Sequence, residues 1–141
     1  MSSAVVAYKK TFGEDAVPVS YEDIELADVF LIAGANPAWN HPILFRRLEK
    51  HKENNPKVKI IVVDPRRTDT AAFADLHLQI LPGSDIILYH AMAKRIIEKG
   101  YVDHDFVKNH AENFKEYKDL VLRGKTENVN LPFLLKFDNP D

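Results

Sequence analysis

Short apolar runs alternate along this chain with longer stretches in which apolar residues return every three or four positions. Residues 29–33 (VFLIA) form one continuous run, and residues 58–63 (VKIIVV) form a second that is mostly β-branched. Runs of this kind, bounded by turn residues, fit strands buried on both faces, as in a parallel sheet. A third strand is expected over 76–81, where Leu76, Leu78 and Ile80 alternate with His77 and Gln79. The segment NHPILFRRLEKHKENNP reads as a helix. Asn40 would be its N-cap, Pro42 lies in the first turn where a missing N–H costs nothing, and Ile43, Leu44 and Leu48 would make its apolar face. SDIILYHAMAKRIIEKG is the clearest helix. Ser84 or Asp85 would cap it, Ile86, His90, Ala93 and Ile97 would share a face, and Gly100 would stop it.

Weaker elements fill the rest. A short N-terminal helix would be capped by Ser3 and ended by Gly13. Ser20 and Asp23 have capping-box spacing over a single turn. AAFAD gives a turn of helix, and two more helices are expected from near Asp103 and from Asn113, with Glu116 three residues on. From Arg123 the periodicity fades. Residues 1–122 therefore read as one α/β domain and 123–141 as a tail or the start of a following segment. The order strand, helix, strand, short helix, strand, helix predicts a mostly parallel sheet with flanking helices, Rossmann-like and three-layered. In such sheets ligands sit beyond the carboxyl ends of the strands.

Those ends read GAN, DPRRT and PGSD. Gly34 and Gly83 permit close backbone approach. Asn36 offers an amide donor and acceptor, Asp64 can accept hydroxyl protons from a ribose, and Thr68 adds a hydroxyl. Arg66 and Arg67 can neutralise phosphates, with arginine suited to bidentate pairing. Each also has a plainer reading: a turn glycine, a strand exit, a solvated arginine pair, and an N-cap at Asp85. Trp39 either packs or covers a ring. Three successive strands ending in ligand chemistry favour a nucleotide or dinucleotide site. The absence of G-x-G-x-x-G disfavours an ordinary nicotinamide or flavin site.

Composition narrows this further. With 141 residues the chain suits one domain, and 45% hydrophobic and 28% charged residues are ordinary for a globular protein. A net charge of −2 gives no basic field for nucleic acid or anionic membranes. No apolar run reaches membrane-spanning length. Cysteine is absent, which excludes disulfides and thiolate-held clusters within the chain and accords with a cytoplasmic setting. Six histidines lack metal-site spacing, so no metal site is expected. No G-x-S-x-G turn supplies a nucleophile, and no catalytic residue is assigned.

Three motifs in order, a strand ending G-x-N, a strand ending D-P-R-x-T, and P-G-[ST]-D before a long helix, resemble the catalytic subunit of molybdopterin oxidoreductases, the dimethyl-sulfoxide-reductase superfamily. Within it the chain looks most like assimilatory and periplasmic nitrate reductases, with formate dehydrogenases next. The resemblance implies a molybdenum enzyme reducing nitrate to nitrite and a domain that binds molybdopterin guanine dinucleotide. Gly34 and Asn36 would contact its phosphates, Asp64 the ribose, and Arg66 and Thr68 would line the nucleotide. Gly83 and Asp85 would clasp the guanine, and Ser84 between them is counted as cofactor-binding. MSSAVVAYKKTFGED is similar to the segment directly behind the molybdenum-ligating cysteine of the nitrate reductase branch. The resemblance thus implies a fragment whose metal and iron–sulfur ligands lie elsewhere, inactive by itself. Its partners would be the remaining domains and an electron-donor protein or domain, and a periplasmic parent is compatible. Two alternatives stay open: a free-standing nucleotide-binding or regulatory module without redox chemistry, and a formate dehydrogenase-type member.

Overall fold

β-Branched residues pack well on a pleated, covered surface, and the computed structural model places Val58, Ile60, Val62 and Val63 at 2% exposure or less. The structure describes residues 2–17, 19–123 and 135–136. The chain falls into two compact units, residues 1–77 and 78–141.

The first unit contains α1 (Ser2–Phe12), a 3₁₀ turn (Glu22–Glu25), β1 (Val29–Ala33), α2 (Pro37–Asn40), α3 (Pro42–Asn54), β2 (Lys59–Val63) and α4 (Asp69–Ala72). Strand β3 (Leu76–Ile80) begins in it and leads the chain onward. Strands β1, β2 and β3 follow one another in a parallel sheet. The register of the first pair runs from Val29 opposite Lys59 to Ala33 opposite Val63. Phe45 and Leu48 of α3, Val58, Ile60 and Val62, and Ala71 of α4 form the core, with Phe30 and Ile32 packed against it. Phe45 meets Phe73 edge to face at 5.5 Å. Asp75 joins three pieces of this unit: it accepts from Lys52 Nζ at 2.6 Å and from the Ile60 N–H at 2.8 Å, and Lys59 Nζ lies 3.8 Å away.

Three expectations are corrected here. Strand β1 is covered on one face only, because side chains alternate along a strand. Phe30 and Ile32 turn to the core while Val29 and Leu31 remain 59% and 44% exposed. Asn40 ends α2, and the N-cap of α3 is His41, with Pro42 at the first position. Ile43 is 76% exposed, whereas Phe45 and Leu48 are buried. At about 100° per residue, Ile43 stands about 140° from Leu48 and Phe45 about 60°, so Phe45 completes the face. The turn over Glu22–Glu25 keeps half of the expected box, the Ser20 N–H donating to Asp23 Oδ2 at 2.7 Å.

The second unit contains α5 (Asp85–Glu98), α6 (His104–His110), α7 (Phe114–Arg123) and β4 (Leu135–Lys136). Ser84 is the N-cap of α5 and Asp85 its first helical residue, so Asp85 is not the cap. The expected face holds at His90, Ala93 and Ile97, each half-buried, but Ile86 is 70% exposed. Helix α5 closes with Gly100 N–H donating to Ile97 C=O and Tyr101 N–H to Ile96 C=O, the paired bonds of a glycine stop. Asp103 caps α6, its Oδ1 accepting the Phe106 N–H at 2.8 Å. Strand β4 pairs antiparallel with β3, Gln79 opposite Lys136 and Ile80 opposite Leu135. The rest of the expected tail beyond Arg123 lies outside the described residues. Among the described residues no helix is long and apolar enough to cross a membrane.

Candidate functional site

Parallel pairing of β1 with β2 brings two strand exits side by side. The Gly34 N–H donates to Val63 C=O at 2.9 Å, extending the ladder one residue past β1. Gly34 has φ +59°, and a Cβ there would meet nothing within 4 Å. The left-handed backbone, rather than crowding, requires glycine and leaves the turn open to an approaching group.

Asn36 follows and starts α2, its C=O accepting from the Trp39 and Asn40 N–H groups. Its side chain reaches across to α4. Thr70 Oγ1 donates to Asn36 Oδ1 at 2.7 Å and accepts the Ala38 N–H at 3.1 Å. Trp39, 73% exposed, donates from Nε1 to Asp69 Oδ2 at 2.5 Å. The indole is therefore not a core residue; it ties the β1 exit to the β2 exit.

At the β2 exit Asp64 is buried and its Oδ1 accepts the Arg66 N–H at 2.8 Å, with Arg66 Nε 3.8 Å from the same oxygen. His77 Nε2 donates to the Asp64 C=O at 2.8 Å. One carboxylate oxygen of Asp64 thus shapes the local turn. Thr68 caps α4, its Oγ1 accepting the Ala71 N–H at 3.2 Å. A hydroxyl keeps its own proton for a further acceptor when used this way.

Together these exits border a cleft of about 350 Å³ lined by Asn36, Trp39, Arg66, Arg67, Thr68 and Asp69. That volume lies in the range of small-molecule sites, about 300–1,000 Å³. Of the expected residues, Asn36, Arg66 and Thr68 converge on it, while Gly34 and Asp64 stand at the adjoining strand ends. Both guanidinium groups are exposed beside one lining carboxylate, Asp69, which is engaged by Trp39. Sequence reasoning missed Asp69 and the buried Thr70; the only available signal was that polar residues continue past the Thr68 cap.

Gly83, Ser84 and Asp85 belong to the second unit. Gly83 has φ +86° with open space around it. Ser84 is buried and donates from Oγ to Leu81 C=O at 2.6 Å, so its hydroxyl holds the turn and makes no cap bond. Asp85 is exposed.

Comparison with known proteins matches residues 2–128 to the molybdopterin oxidoreductase family model. The chain is 50% identical over 129 residues to a nitrate reductase of Synechocystis sp., covering 92% of this chain and 18% of that protein. It is 42% identical to the F420-dependent formate dehydrogenase subunit alpha of Methanocaldococcus jannaschii, over 89% of this chain and 18% of that one. Among solved structures, acetylene hydratase from Pelobacter acetylenicus superposes with a TM-score of 0.68 at 30% identity, covering 84% of this chain and 16% of the other. The chain thus spans less than a fifth of the length of each of these relatives.

Proposed function

Because this chain belongs to the molybdopterin oxidoreductase family, we propose that it holds the guanine-dinucleotide portion of a molybdopterin cofactor, with the cofactor's phosphates in the cleft of the first unit. Relatives named as a nitrate reductase, a formate dehydrogenase and an acetylene hydratase act, by their names, on unlike substrates. Each nevertheless matches over most of this chain. A segment common to such different reactions suits a shared cofactor rather than a choice of substrate. The observation that carries the reading is the convergence of Asn36, Arg66, Arg67 and Thr68 on one open cleft.

The donor set fits a diphosphate. Guanidinium groups pair with phosphate oxygens through charge-assisted bonds, and the Thr68 hydroxyl proton and the Asn36 amide add neutral donors. Gly34 leaves room for a phosphate against the backbone, and the second oxygen of Asp64 is the one left for a ribose hydroxyl. In the second unit, Gly83, Ser84 and Asp85 are assigned to the guanine, with Asp85 accepting from the ring N1–H and the exocyclic amine. The cofactor supplies redox-active molybdenum when bound; this chain's residues bind and orient. The whole enzyme is assigned as a reductase of nitrate to nitrite, after the relatives at 45–50% identity. The 42% match to a formate dehydrogenase subunit supports a second reading, formate oxidation. With no cysteine in its sequence, this chain leaves thiolate and iron–sulfur ligation, and exchange with an electron-donor protein or domain, to other segments.

Calorimetric titration with guanosine diphosphate and with guanosine tests the phosphate assignment. A charge-assisted bond contributes about 1.5–3 kcal/mol, so the diphosphate should bind about ten- to a hundredfold more tightly. Arg66→Ala/Arg67→Ala should erase most of that difference. Equal affinity for nucleoside and nucleotide, or an unaffected double variant, would overturn the assignment.

A further inference from the structure

Thr70 is not among the residues that line the cleft, yet it is fully buried at 0% exposure and bonded to one that is, Asn36. Its hydroxyl sits between the two strand exits, 32 and 34 residues in sequence from its partners Ala38 and Asn36. From this geometry we infer that Thr70 is a positioning residue that fixes the polarity of Asn36, so that Asn36 meets the cofactor's phosphate as a donor and never as an acceptor. The ligand half of this inference rests on the function proposed above.

A side-chain amide has one acceptor end and one donor end, and local bonds decide which faces outward. A buried hydroxyl proton needs an acceptor, because a polar group left unpaired away from water is costly. Thr70 Oγ1 receives the Ala38 N–H, and its own proton goes to Asn36 Oδ1 at 2.7 Å. Asn36 Oδ1 is thereby turned inward. The opposite end, Nδ2, makes no hydrogen bond among the described residues. It is also not a buried atom lacking a partner, so it is open to solvent, and Asn36 lines the cleft. Nδ2, with its two N–H donors, is therefore the end of this cleft-lining side chain left for an anion. A freely rotating asparagine would also offer its carbonyl there, which repels phosphate oxygens. The Trp39–Asp69 bond, spanning the same two exits, holds the loops but does not touch this amide.

The consequence is that Thr70 acts on ligand affinity through a residue it orients. Thr70→Ser keeps the hydroxyl; Thr70→Val keeps the shape and removes it; Asn36→Asp keeps the acceptor for Thr70 but presents a carboxylate oxygen to the cleft. The full chain, labelled with ¹⁵N, gives a readout without any ligand: the order of the Asn36 side-chain amide. It should be rigid in wild type and Thr70→Ser and mobile in Thr70→Val. Guanosine diphosphate should then shift the Asn36 Nδ2 resonance in wild type and Thr70→Ser, and bind about tenfold more weakly to Thr70→Val and Asn36→Asp at neutral pH. If Thr70→Val does not fold, the Thr70→Ser and Asn36→Asp results decide. A mobile Asn36 amide in wild type, or wild-type affinity in Asn36→Asp, overturns the inference. An ordered amide in a protein that binds no nucleotide overturns the ligand half together with the proposed function, while nucleotide binding that leaves Asn36 unshifted overturns this inference alone.

Discussion

Gly34 and Asp85 illustrate how single positions divide between structure and ligand. Gly34→Ala introduces no clash, since a Cβ there meets nothing within 4 Å, but holds a side chain at φ +59°. The expected cost is about 1–2 kcal/mol from the left-handed backbone alone, measured by urea denaturation; an unchanged midpoint would contradict the assigned turn. Asp85 stands at the first position of α5 rather than at its cap, so its contribution to the helix is limited to the dipole, about 0.3–1 kcal/mol. Asp85→Asn should therefore move the melting temperature little. A guanine-over-adenine preference, measured with the two nucleoside diphosphates, should be present in wild type and collapse in the variant. Equal binding of both bases by wild type would leave Asp85 without a role in base choice. Asn36, Arg66 and Thr68 were legible in the sequence as polar residues because each lies within five positions of the end of an apolar strand. Thr70 was not, because its value lies in a contact made 34 positions away. The cap was also ambiguous by one residue, since Ser84 and Asp85 are both good capping residues.

At the scale of elements, one side chain fastens a strand, a helix and a connection. The Lys52 ammonium, first, and the Ile60 N–H, second, hold the Asp75 carboxyl below its ordinary range. A carboxyl lowered in the folded state adds stability above its unfolded value, about 3.9. That stability is lost as pH falls through the folded value. The stability difference between wild type and Asp75→Asn should thus be constant near neutrality and shrink below about pH 4. Denaturation curves at pH 7 and pH 3 check this; an equal difference at both would contradict it. Periodicity located β1, β2, β3, α3 and α5, because apolar spacing records which elements bury a face. It did not find α2, whose Pro-Ala-Trp-Asn reads as a loop, nor β4, two residues paired to a distant strand. It overstated β1, because an apolar run shows what can be covered, not what covers it.

For the whole molecule, the central assignment falls within a single unit. Every lining residue of the cleft, from Asn36 to Asp69, belongs to residues 1–77, although the chain spans only 12–18% of the length of the nitrate reductases it resembles at 45–50% identity. Phosphate binding is therefore a property this chain can be asked to show, whichever substrate the complete enzyme turns over. The most direct measurement is a crystal structure of the chain grown with guanosine diphosphate. The expected result is a diphosphate in the cleft at hydrogen-bond distance, about 2.7–3.2 Å, from Asn36 Nδ2 and from at least one guanidinium of Arg66 and Arg67. An ordered nucleotide bound elsewhere, with no phosphate in this cleft, would contradict it.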